Sequence, residues 1–587
     1  MAVGIGFLLL FGGQGLLFIR ANSPTYDEAA ELSAGYSYLL TRDFRLNQEH
    51  PPFIKELTAL SVYVCYHLPF EPDPRLWENA DEWRIGQHFL YHSSIPADHI
   101  LAAGRMANLF LGSALVGLVG WWAYRLWGTS AAMVAMGLTA LDPNVVAAAC
   151  VVKNDLGAAL FAALTLYLFW EFLVRPAGWL VVATGLSFGL ALGSKYSLVL
   201  VGVILGVVGG SELLSGGTLP LAGPTPRPPQ QGIGRRVGEA TATALLICSI
   251  ALGVILALYC FQGFSAWWAG LQMVQRHLAE GHPAFLLGEY SAQGWWYYFL
   301  VAFLMKTPLG SLLLIVAALL LAGRGQPLQR REAMVLLVPA LLFFVATAHS
   351  RINIGLRHLL PVYPFLYVCA ARVATLRCRQ GWLAPLLLSL AVAATGFSSL
   401  RVAPHQLAYF NELVGGPAEG YRYLSDSNVD WGQDLQAVKR YMEREGLAMI
   451  YVSYFGSAPP SYYGIPYQYV PSPGEPWAER STEVLPPGFK REMLAISVTN
   501  LQGVWFDDKQ LYHWLDSRRP VEKIGYSIFV YDLTGDAEAH LRLAELYLHM
   551  GPQRLVEPEL QKVLALDPFN AQARQLLATS QRRFDPQ

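Results

Sequence analysis

Six polar side chains that could do acid–base or ionic chemistry follow the first apolar segment of the chain. Because an apolar segment of membrane-spanning length precedes them, we expect carboxylates, an imidazole and an amine at one membrane surface. Carboxylates at this place can also serve only to solvate the interface, but their clustering before the rigid Pro51-Pro52 pair favours a chemical site. The six residues are Asp27, Glu28, Asp43, Glu49, His50 and Lys55.

A further carboxylate, Asp155, stands at the start of a predicted spanning helix, after Lys153 and Asn154. The helix dipole favours an acidic residue in the first turn of a helix. The simple alternative to a chemical role is therefore that Asp155 only caps the N-terminus of its helix. We expect Asp155 on the same side of the membrane as Asp27. Two carboxylates from different loops are what an acid–base or cation site requires.

Arg351, Arg357 and His358 crowd one short turn before another predicted spanning helix. We expect this turn on the external side of the membrane, where basic residues are rare in short loops. Its cations therefore need an anionic partner. A phosphate at headgroup depth fits because guanidinium groups bind it at two points. Pairing with the carboxylates above is the alternative. Lys195 is a weaker candidate of the same kind.

The segment HLAEGHPAFLLGEY contains two histidines and two glutamates, namely His277, Glu280, His282 and Glu289. Imidazole and carboxylate groups can hold a divalent ion, so a divalent metal is a possible cofactor. The chain has no HExxH pattern, and spacing alone is weak evidence for a metal site.

Composition places most of the chain in lipid. Of its 587 residues, 53% are hydrophobic and 14% are charged, against about 25% charged residues in an ordinary soluble domain. A net charge near −1 gives no electrostatic support for a nucleic-acid partner. The six cysteines form no CxxC pair, so neither a disulfide framework nor a zinc ribbon is indicated.

Apolar runs predict eleven membrane spans. The first lacks a small-residue cleavage site after a basic start, so we expect an uncleaved helix rather than a signal peptide. A segment rich in Pro and Gly, 214–236, has the composition of a flexible linker. The runs are 2–19, 100–124, 129–141, 156–174, 178–193, 197–213, 238–262, 308–323, 334–348, 359–374 and 382–399.

Arginines in the short loops predict the orientation. Those at 125, 175, 227–236, 324–331 and 372–379 all fall on one side if the N-terminus is cytoplasmic. The external side then receives loop 21–98, the turn before Asp155 and everything after about residue 400. We therefore expect a multi-pass membrane protein with a cytoplasmic N-terminus and an extracytoplasmic C-terminal part.

The C-terminal part turns soluble in composition from about Pro404. Strand-like runs at 448–456, 492–499 and 526–533, with helices at 430–445 and near 507–517, predict a small α/β domain. Residues 536–587 look like one tetratricopeptide unit with a cap helix, which must pack on the domain or on a partner protein. The predicted division is thus 1–400, a transmembrane catalytic domain, 401–535, the α/β domain, and 536–587, a helical tail.

Five separated motifs together resemble bacterial members of glycosyltransferase family 39, which is related to protein O-mannosyltransferases and to the lipid A aminoarabinose transferase. The resemblance covers about residues 1–535. It implies a GT-C fold, mainly α and polytopic. The motifs are Tyr26-Asp27-Glu28, RLNQEHPPFIK, GHPAFLLGEYSAQGWWYYFLVAFLMKTP, INIGLRHLLPVYPF and YRYLSDSNVDWGQDL.

The resemblance implies roles for individual residues. Asp27 corresponds to the family's catalytic acid in the first external loop, with Glu28 as its neighbour and Asp155 as the second important external acid. Glu49 matches a metal-contacting glutamate, and with His282 it forms the predicted metal pair. The predicted substrate pocket holds Tyr26, Glu49, His50, Glu289 and Tyr290, and the predicted donor-phosphate ligands are Arg351, Arg357, His358, Lys195 and Lys55.

The resemblance implies transfer of a sugar, a hexose such as mannose, from a polyprenyl-phosphate carrier to an acceptor outside the cytoplasm. Attack by an acceptor hydroxyl needs a base, for which Asp27 is the candidate, whereas the phosphate leaving group needs only charge stabilisation. This scheme predicts a single displacement with inversion, unlike a two-carboxylate covalent mechanism. The sequence does not distinguish between a protein, a lipid and a glycan as the acceptor. The alternatives are a transporter or flippase of lipid-linked sugars and a membrane scaffold.

Overall fold

A computed structural model describes residues 2–219, 232–262, 264–321, 326, 328–376, 381–473, 480–486 and 488–584. Residues 220–231, most of the predicted linker, lie outside this set. The chain divides into two compact units. The first unit comprises Met1–Arg20, Glu28–His282 and Ser291–Gly416, and the second comprises Ala21–Asp27, Pro283–Tyr290 and Pro417–Gln587.

The first unit is helical, as its apolar composition dictates: a chain in lipid must satisfy its backbone polar groups internally. Short 3₁₀ turns, such as Leu356–Val362, connect some of its helices. The α-helices are α1 (Ala2–Ala21), α2 (Glu28–Thr41), α3 (Pro52–Tyr66), α4 (Pro74–Glu78), α5 (Glu82–Tyr91), α6 (Ala97–Trp127), α7 (Thr129–Ala140), α8 (Pro143–Ala149), α9 (Asp155–Val174), α10 (Gly178–Ser194), α11 (Val199–Leu214), α12 (Ile233–Leu258), α13 (Ser265–Glu280), α14 (Tyr298–Lys306), α15 (Leu309–Leu320), α16 (Arg330–Ala348), α17 (Tyr363–Ala371) and α18 (Leu383–Val402).

Among the described residues, seven helices are long and apolar enough to cross a membrane, or up to nine if each of two bent pairs is one span. The prediction of eleven spans is therefore corrected, while the mainly α, polytopic fold class is confirmed. Two apolar runs did not become spanning helices by this measure: α10 is a shorter apolar helix, and the run 359–374 divides into 3₁₀ turns and the nine-residue α17.

The bent pairs owe their shape to proline. Helices α7 and α8 meet at 64°, and α14 and α15 meet at 115°. Pro143 opens α8 and Pro308 directly precedes α15, and proline cannot continue a helix because it lacks the N–H group. Asp142 caps α8 by accepting from the Asn144 N–H at 2.7 Å, and the Asn144 amide donates to the Lys306 carbonyl at 2.6 Å. Polar side chains thus satisfy backbone groups that the breaks release.

The second unit is built on a five-stranded mixed sheet, ordered β4-β3-β5-β7-β6. Strand β3 pairs in parallel with β4 and β5, whereas β7 is antiparallel to β5 and β6. The strands are β1 (Ala284–Leu286) and β2 (Glu289–Ser291), which form a separate hairpin, then β3 (Ile450–Ser453), β4 (Tyr467–Tyr469), β5 (Met493–Ser497), β6 (Glu522–Ile524) and β7 (Ile528–Asp532).

The C-terminal helices cover part of this sheet. They are α19 (Leu435–Glu445), α20 (Val498–Leu501), α21 (Ala537–Met550), α22 (Val556–Leu566) and α23 (Ala571–Phe584). The helix predicted near 507–517 is absent: the structure has only a 3₁₀ turn there, at His513–Leu515. The last three helices have the order expected of a tetratricopeptide unit with a cap, and that assignment stays a prediction.

A buried polar network joins the tail to the sheet within the second unit. The Tyr451 hydroxyl of β3 donates to the Glu559 carboxylate at 2.8 Å, and the Gln468 amide of β4 donates to the same carboxylate at 2.9 Å. His540 of α21 lies between Glu559, at 2.7 Å, and Glu492, at 2.8 Å. The tail therefore packs on the domain, which was one of the two expected arrangements.

Candidate functional site

Glu28 begins α2 and is an anchor of the first unit. Its carboxylate accepts two hydrogen bonds from the Arg105 guanidinium of α6, at 2.9 and 2.6 Å, and one from the Val152 N–H at 2.7 Å. Neither charged side chain is exposed. Because α6 has membrane-spanning length, Arg105 needs a counter-ion, and Glu28 supplies it. The pair holds α2 against α6 and against the segment before α9.

Glu31, about one turn further along α2, binds the Lys153 ammonium at 2.5 Å. The His50 imidazole lies 3.7 Å from the same carboxylate. The segment that carries Lys153 is fixed by Asn108 of α6, whose amide donates to the carbonyls of Val151, at 2.5 Å, and Lys153, at 2.9 Å. The loop that contains His50 and the segment before α9 therefore meet at Glu31.

Asp155 begins α9 and receives two cations from other parts of the chain. Lys195, directly after α10, donates a hydrogen bond to one carboxylate oxygen, and the Arg357 guanidinium lies 3.4 Å from the other. The Asn154 amide donates to the Ser194 carbonyl at 2.9 Å, which fixes the end of α10 beside the start of α9. Three predicted site residues thus meet in the first unit.

Two histidines beside these ions are neutral. Burial lowers the pKa of His50 well below its usual value, and the charges of Lys153 and Lys195 lower it further. Burial and the charges of Lys195 and Arg357 do the same to the pKa of His358. The His358 Nε2 atom is buried and makes no hydrogen bond. Each imidazole therefore offers a neutral polar group and no positive charge.

We call the following seven side chains the ionic cluster: the carboxylates Glu28, Glu31 and Asp155 and the cations Arg105, Lys153, Lys195 and Arg357. All belong to the first unit. Two of its cations, Lys195 and Arg357, converge on the carboxylate of Asp155. Ammonium and guanidinium groups gathered at one place bind phosphate oxygens well, so an anion is the ligand that this arrangement favours.

Lys55 of α3 holds the loop that carries His50. Its ammonium donates to the Asn47 carbonyl at 2.6 Å, to the Asn47 amide oxygen at 3.1 Å and to the Tyr38 hydroxyl at 3.1 Å. An ammonium has three donors, and these three acceptors use them all. Burial lowers the pKa of Lys55 to about 8, an effect that Glu31 partly offsets. Lys55 therefore acts on a bound phosphate through its charge and by holding the loop that carries His50.

Arg351, the remaining predicted phosphate ligand, is exposed and donates to the Ala279 carbonyl at 2.9 Å. The predicted metal ligand Glu49 lies 3.1 Å from His277, and this hydrogen bond raises the pKa of that imidazole. The ring of His282 is centred 6.0 Å from that of His277. No group of three His, Cys, Asp or Glu side chains in the described part of the chain could hold a metal ion. The described residues therefore do not fit a divalent ion.

The other predicted site residues belong to the second unit. Tyr26 stacks on Phe455 with ring centroids 5.2 Å apart, and its N–H donates to the Trp431 carbonyl at 2.8 Å. Asp27 follows in a partly exposed turn. In the β1–β2 hairpin, Glu289 is exposed, and the Tyr290 hydroxyl donates to the Gln502 carbonyl at 2.7 Å.

Sequence reasoning missed Arg105, Glu31 and the role of Lys153. Arg105 had a signal, because a lone arginine in a spanning apolar helix normally has an acidic partner. Glu31 lies one helical turn from Glu28, a spacing that puts both carboxylates on one face of α2. Lys153 stood in the sequence only as a neighbour of Asp155, and nothing local indicated that it pairs with α2.

Residues 16–267 match the model of the dolichyl-phosphate-mannose-protein mannosyltransferase family. The match confirms the resemblance to glycosyltransferase family 39 over this part of the chain. The membrane-length helices make the protein a multi-pass membrane protein, and the match over residues 16–267 supports a glycosyltransferase. No curated protein matches the sequence.

Solved structures of membrane enzymes are similar to this chain at low identity. ArnT from Cupriavidus metallidurans bound to undecaprenyl phosphate is 15% identical, with a TM-score of 0.43, over 90% of this chain and 98% of that one. The apo form of the same enzyme is 14% identical, with a TM-score of 0.46 and the same coverage. The oligosaccharyltransferase AglB from Archaeoglobus fulgidus, with an inhibitory peptide and a dolichol-phosphate, is 12% identical over 67% of this chain and 55% of that one, with a TM-score of 0.41.

Proposed function

We propose that this membrane glycosyltransferase moves a sugar, a hexose such as mannose, from a polyprenyl-phosphate carrier to an acceptor hydroxyl outside the cytoplasm. The observation that carries the proposal is the convergence of Lys195 and Arg357 on Asp155 inside the ionic cluster. Lipid-linked phosphate is an anion that a membrane protein meets at headgroup depth. The family whose model matches is named for a dolichyl-phosphate donor, which supports the same donor class.

Lys195 and Arg357 stabilise the phosphate, both in the bound donor and as the leaving group. A phosphate leaves without a proton, so no general acid is needed at the bond that breaks. Arg357 can bind phosphate oxygens at two points, whereas Lys195 acts as a compact charge. Asp155 holds both cations in place before the donor arrives, so the site need not reorganise during reaction.

Asp27 is the proposed base. It takes the proton of the acceptor hydroxyl as the hydroxyl oxygen attacks the anomeric carbon, and the bond to the phosphate oxygen breaks on the opposite face. This single displacement inverts the configuration of the sugar. Glu28, the next residue, cannot serve as the base equally well because Arg105 and Val152 already occupy its carboxylate.

The basic residues of the short loops support an inner-membrane protein whose N-terminus is cytoplasmic and whose second unit is extracytoplasmic. In that orientation the acidic loop and the α/β domain face the compartment where the acceptor resides. The acceptor itself is a protein, lipid or glycan hydroxyl.

The test uses the full chain in proteoliposomes and a panel of radiolabelled polyprenyl-phosphate hexoses. We expect one donor to be consumed by the native chain. Asp27→Asn, a near-isosteric change, should lower turnover by at least about a hundredfold, within the range of a lost general base, while the donor still binds. If no donor is consumed but labelled lipid crosses the bilayer, the chain is a flippase and the proposal is wrong.

A further inference from the structure

The segment that ends in Asp27 belongs to the second unit, although the chain on both sides of it belongs to the first. We call this segment, Ala21–Asp27, the base segment. Residues 22–25 are buried and form neither helix nor strand. Buried backbone N–H and carbonyl groups need hydrogen-bond partners. The position of Asp27 therefore depends on which groups of the second unit bind the base segment.

Two carbonyls of one turn accept hydrogen bonds from the base segment. The turn is formed by residues 430–433, and we call it the anchoring turn. The Ser23 N–H donates to the Gln433 carbonyl at 2.8 Å, and the Tyr26 N–H donates to the Trp431 carbonyl at 2.8 Å. The second bond is made by the residue just before the proposed base, so the anchoring turn holds the backbone next to it.

Helix α19, which follows the anchoring turn, binds the start of the base segment. The Gln436 N–H, in the first turn of this helix, donates to the Ser23 hydroxyl at 2.8 Å. The first N–H groups of a helix have no partner within the helix, so Ser23 acts as a cap from a distant part of the chain. The Arg440 guanidinium donates to the Ala21 carbonyl at 3.3 Å. Both ends of the base segment are thus bound, one by the helix and one by the turn.

The loop after β3, residues 454–457, contacts the base segment through side chains. The Phe455 ring stacks on Tyr26, and the Ser457 hydroxyl donates to the Thr25 carbonyl at 3.5 Å. The turn, the helix and the loop all belong to the second unit. The α/β domain therefore holds the residues that lead to the proposed base.

Asp430 fixes the backbone of the anchoring turn. One carboxylate oxygen accepts from the Gly432 N–H at 3.2 Å, and the other accepts from the Thr499 N–H at 3.1 Å. Thr499 lies two residues beyond β5, the middle strand of the sheet, so the carboxylate ties the turn to the sheet. Asp430 is fully buried. A carboxylate accepts at both oxygens, whereas an asparagine amide would present an NH₂ group to one of these two donors.

Gln433 closes the same turn with a buried side chain. Its amide oxygen accepts from the Trp431 N–H at 2.8 Å, and its amide nitrogen donates to the Val429 carbonyl at 3.0 Å. Between them, Gly432 has a φ of +86°, and a Cβ atom there would lie 2.9 Å from the Tyr454 hydroxyl. That hydroxyl donates to the Gly432 carbonyl at 2.6 Å. The conformation of the turn is thus set by its own side chains and by close packing on the loop after β3.

We propose that Asp430 and Gln433 are positioning residues for Asp27, because they fix the two carbonyls to which the base segment is bound. The inference rests on the proposed function for the identity of the base. A displacement of about 1 Å at a reacting group can lower a rate about a hundredfold, so the anchoring turn can control the reaction without contacting a substrate.

The first test needs no substrate. It is hydrogen-exchange mass spectrometry on the full chain in detergent, read at the Ser23 and Tyr26 amides. We expect Asp430→Asn and Gln433→Met each to lower the protection of these amides about tenfold, because each removes a hydrogen bond that fixes the turn. Tyr451→Phe is the matched control, since it removes a buried hydrogen bond of the same sheet that does not contact the base segment. Unchanged protection in both turn variants would overturn the proposal.

The second test is kinetic and uses the donor that the native chain consumes. Asp430→Asn should lower kcat about 10- to 100-fold, as expected for a misplaced base, while KM for the donor changes less than about twofold. Gln433→Met should act in the same direction, and it carries the test if Asp430→Asn does not fold. Tyr451→Phe should keep the native kcat. The thermal unfolding midpoint of each variant shows whether it is folded.

A double variant separates positioning from a general structural role. In Asp27→Asn no base remains to be positioned, so a further Asp430→Asn should lower kcat by less than about twofold. An equal loss in both backgrounds would overturn the proposal. If Asp27→Asn lowers kcat but the folded turn variants keep the native value, the positioning role fails and the proposed function stands. If Asp27→Asn turns over as fast as the native chain, the base assignment fails, and the positioning role fails with it.

Discussion

Arg105 and Glu28 form a two-point ion pair in which neither side chain is exposed, although Arg105 lies in a helix of membrane-spanning length. Because of this ion pair, the adjacent acids Asp27 and Glu28 have different roles. Glu28 neutralises a buried arginine and joins α2 to α6, whereas Asp27, in the partly exposed turn before it, is the proposed base. Glu28 is thus a positioning residue, whereas its neighbour Asp27 is the proposed base.

Removing one partner of the Arg105–Glu28 pair should destabilise the protein strongly, because the other charge is left buried and unpaired. We expect Glu28→Gln and Arg105→Met each to cost about 3–5 kcal/mol. The double variant should recover part of this loss, since it leaves no lone charge. The measurement is the thermal unfolding midpoint of the full chain in detergent. Single variants that unfold at the native midpoint would show that the pair has no such role.

Loss of one cation beside Asp155 should weaken binding of the donor. We expect Lys195→Met and Arg357→Met each to raise KM for the polyprenyl-phosphate donor roughly 10- to 100-fold, which corresponds to about 1.4–2.8 kcal/mol. Arg357→Lys should lose less than Arg357→Met, because it keeps the charge and loses the two-point geometry. Arg175→Met, at an exposed arginine outside the ionic cluster, is the control. A similar KM in the control and the cluster variants would contradict this role.

The activity should depend on pH through Lys55. Its pKa is lowered to about 8 by burial, so its ammonium is charged below that pH and becomes neutral above it. Neutral Lys55 has two N–H donors for the three acceptors on Asn47 and Tyr38, so its hold on the loop weakens and we expect kcat/KM to fall as pH rises through about 8. Burial also raises the pKa of the nearby Glu82 to about 7, and the observed values belong to the coupled pair. The pH profile of Lys55→Met should lack the alkaline decline, and an unchanged profile would exclude Lys55 as its source.

The attachment of the tail should weaken in alkali. Hydrogen bonds and ion pairs with Glu492 and Glu559 raise the pKa of His540 to about 9 despite its burial. A raised folded-state pKa means that the stabilisation is complete below about 6.5, the value of an unperturbed histidine, and is lost as pH rises through about 9. The protection of the α21 and α22 amides against hydrogen exchange, measured relative to unprotected amides at the same pH, should therefore fall across this range. In His540→Gln this protection should be nearly independent of pH, whereas His513→Gln, an exposed control, should follow the native chain.

Removal of residues 536–587 should destabilise the α/β domain. The deletion exposes Tyr451 and Gln468 and leaves Glu492 without His540 and Lys562. We expect a lower unfolding midpoint and faster proteolysis between residues 417 and 535. Lost activity after this deletion would therefore not by itself identify a scaffold. A deletion that leaves the midpoint unchanged would show that the tail contributes nothing to the domain.

Several site residues could be found from the sequence because their chemistry conflicts with their surroundings. Asp155, Lys195 and Arg357 stand next to apolar helices, where charged groups are costly, and the structure brings them together. Lys153 and Glu31 could not be paired in this way, because the segment before α9 and helix α2 are far apart in sequence. The edge strands β4 and β6 were also missed, since three residues are too few to show an alternating pattern.

The sequence by itself determined the class of this protein: apolar runs require helices in lipid, and separated motifs carry the resemblance to a glycosyltransferase family. It also pointed to Asp155, Lys195 and Arg357, whose charges stand next to apolar helices, although it missed Arg105 and Glu31. Only the tertiary structure decided which charges pair, and so which acid is an anchor. It alone made β3 and β4 neighbours, because they meet only when the sheet assembles. Periodicity is a local property of the chain, whereas pairing and cavities depend on contacts between distant segments.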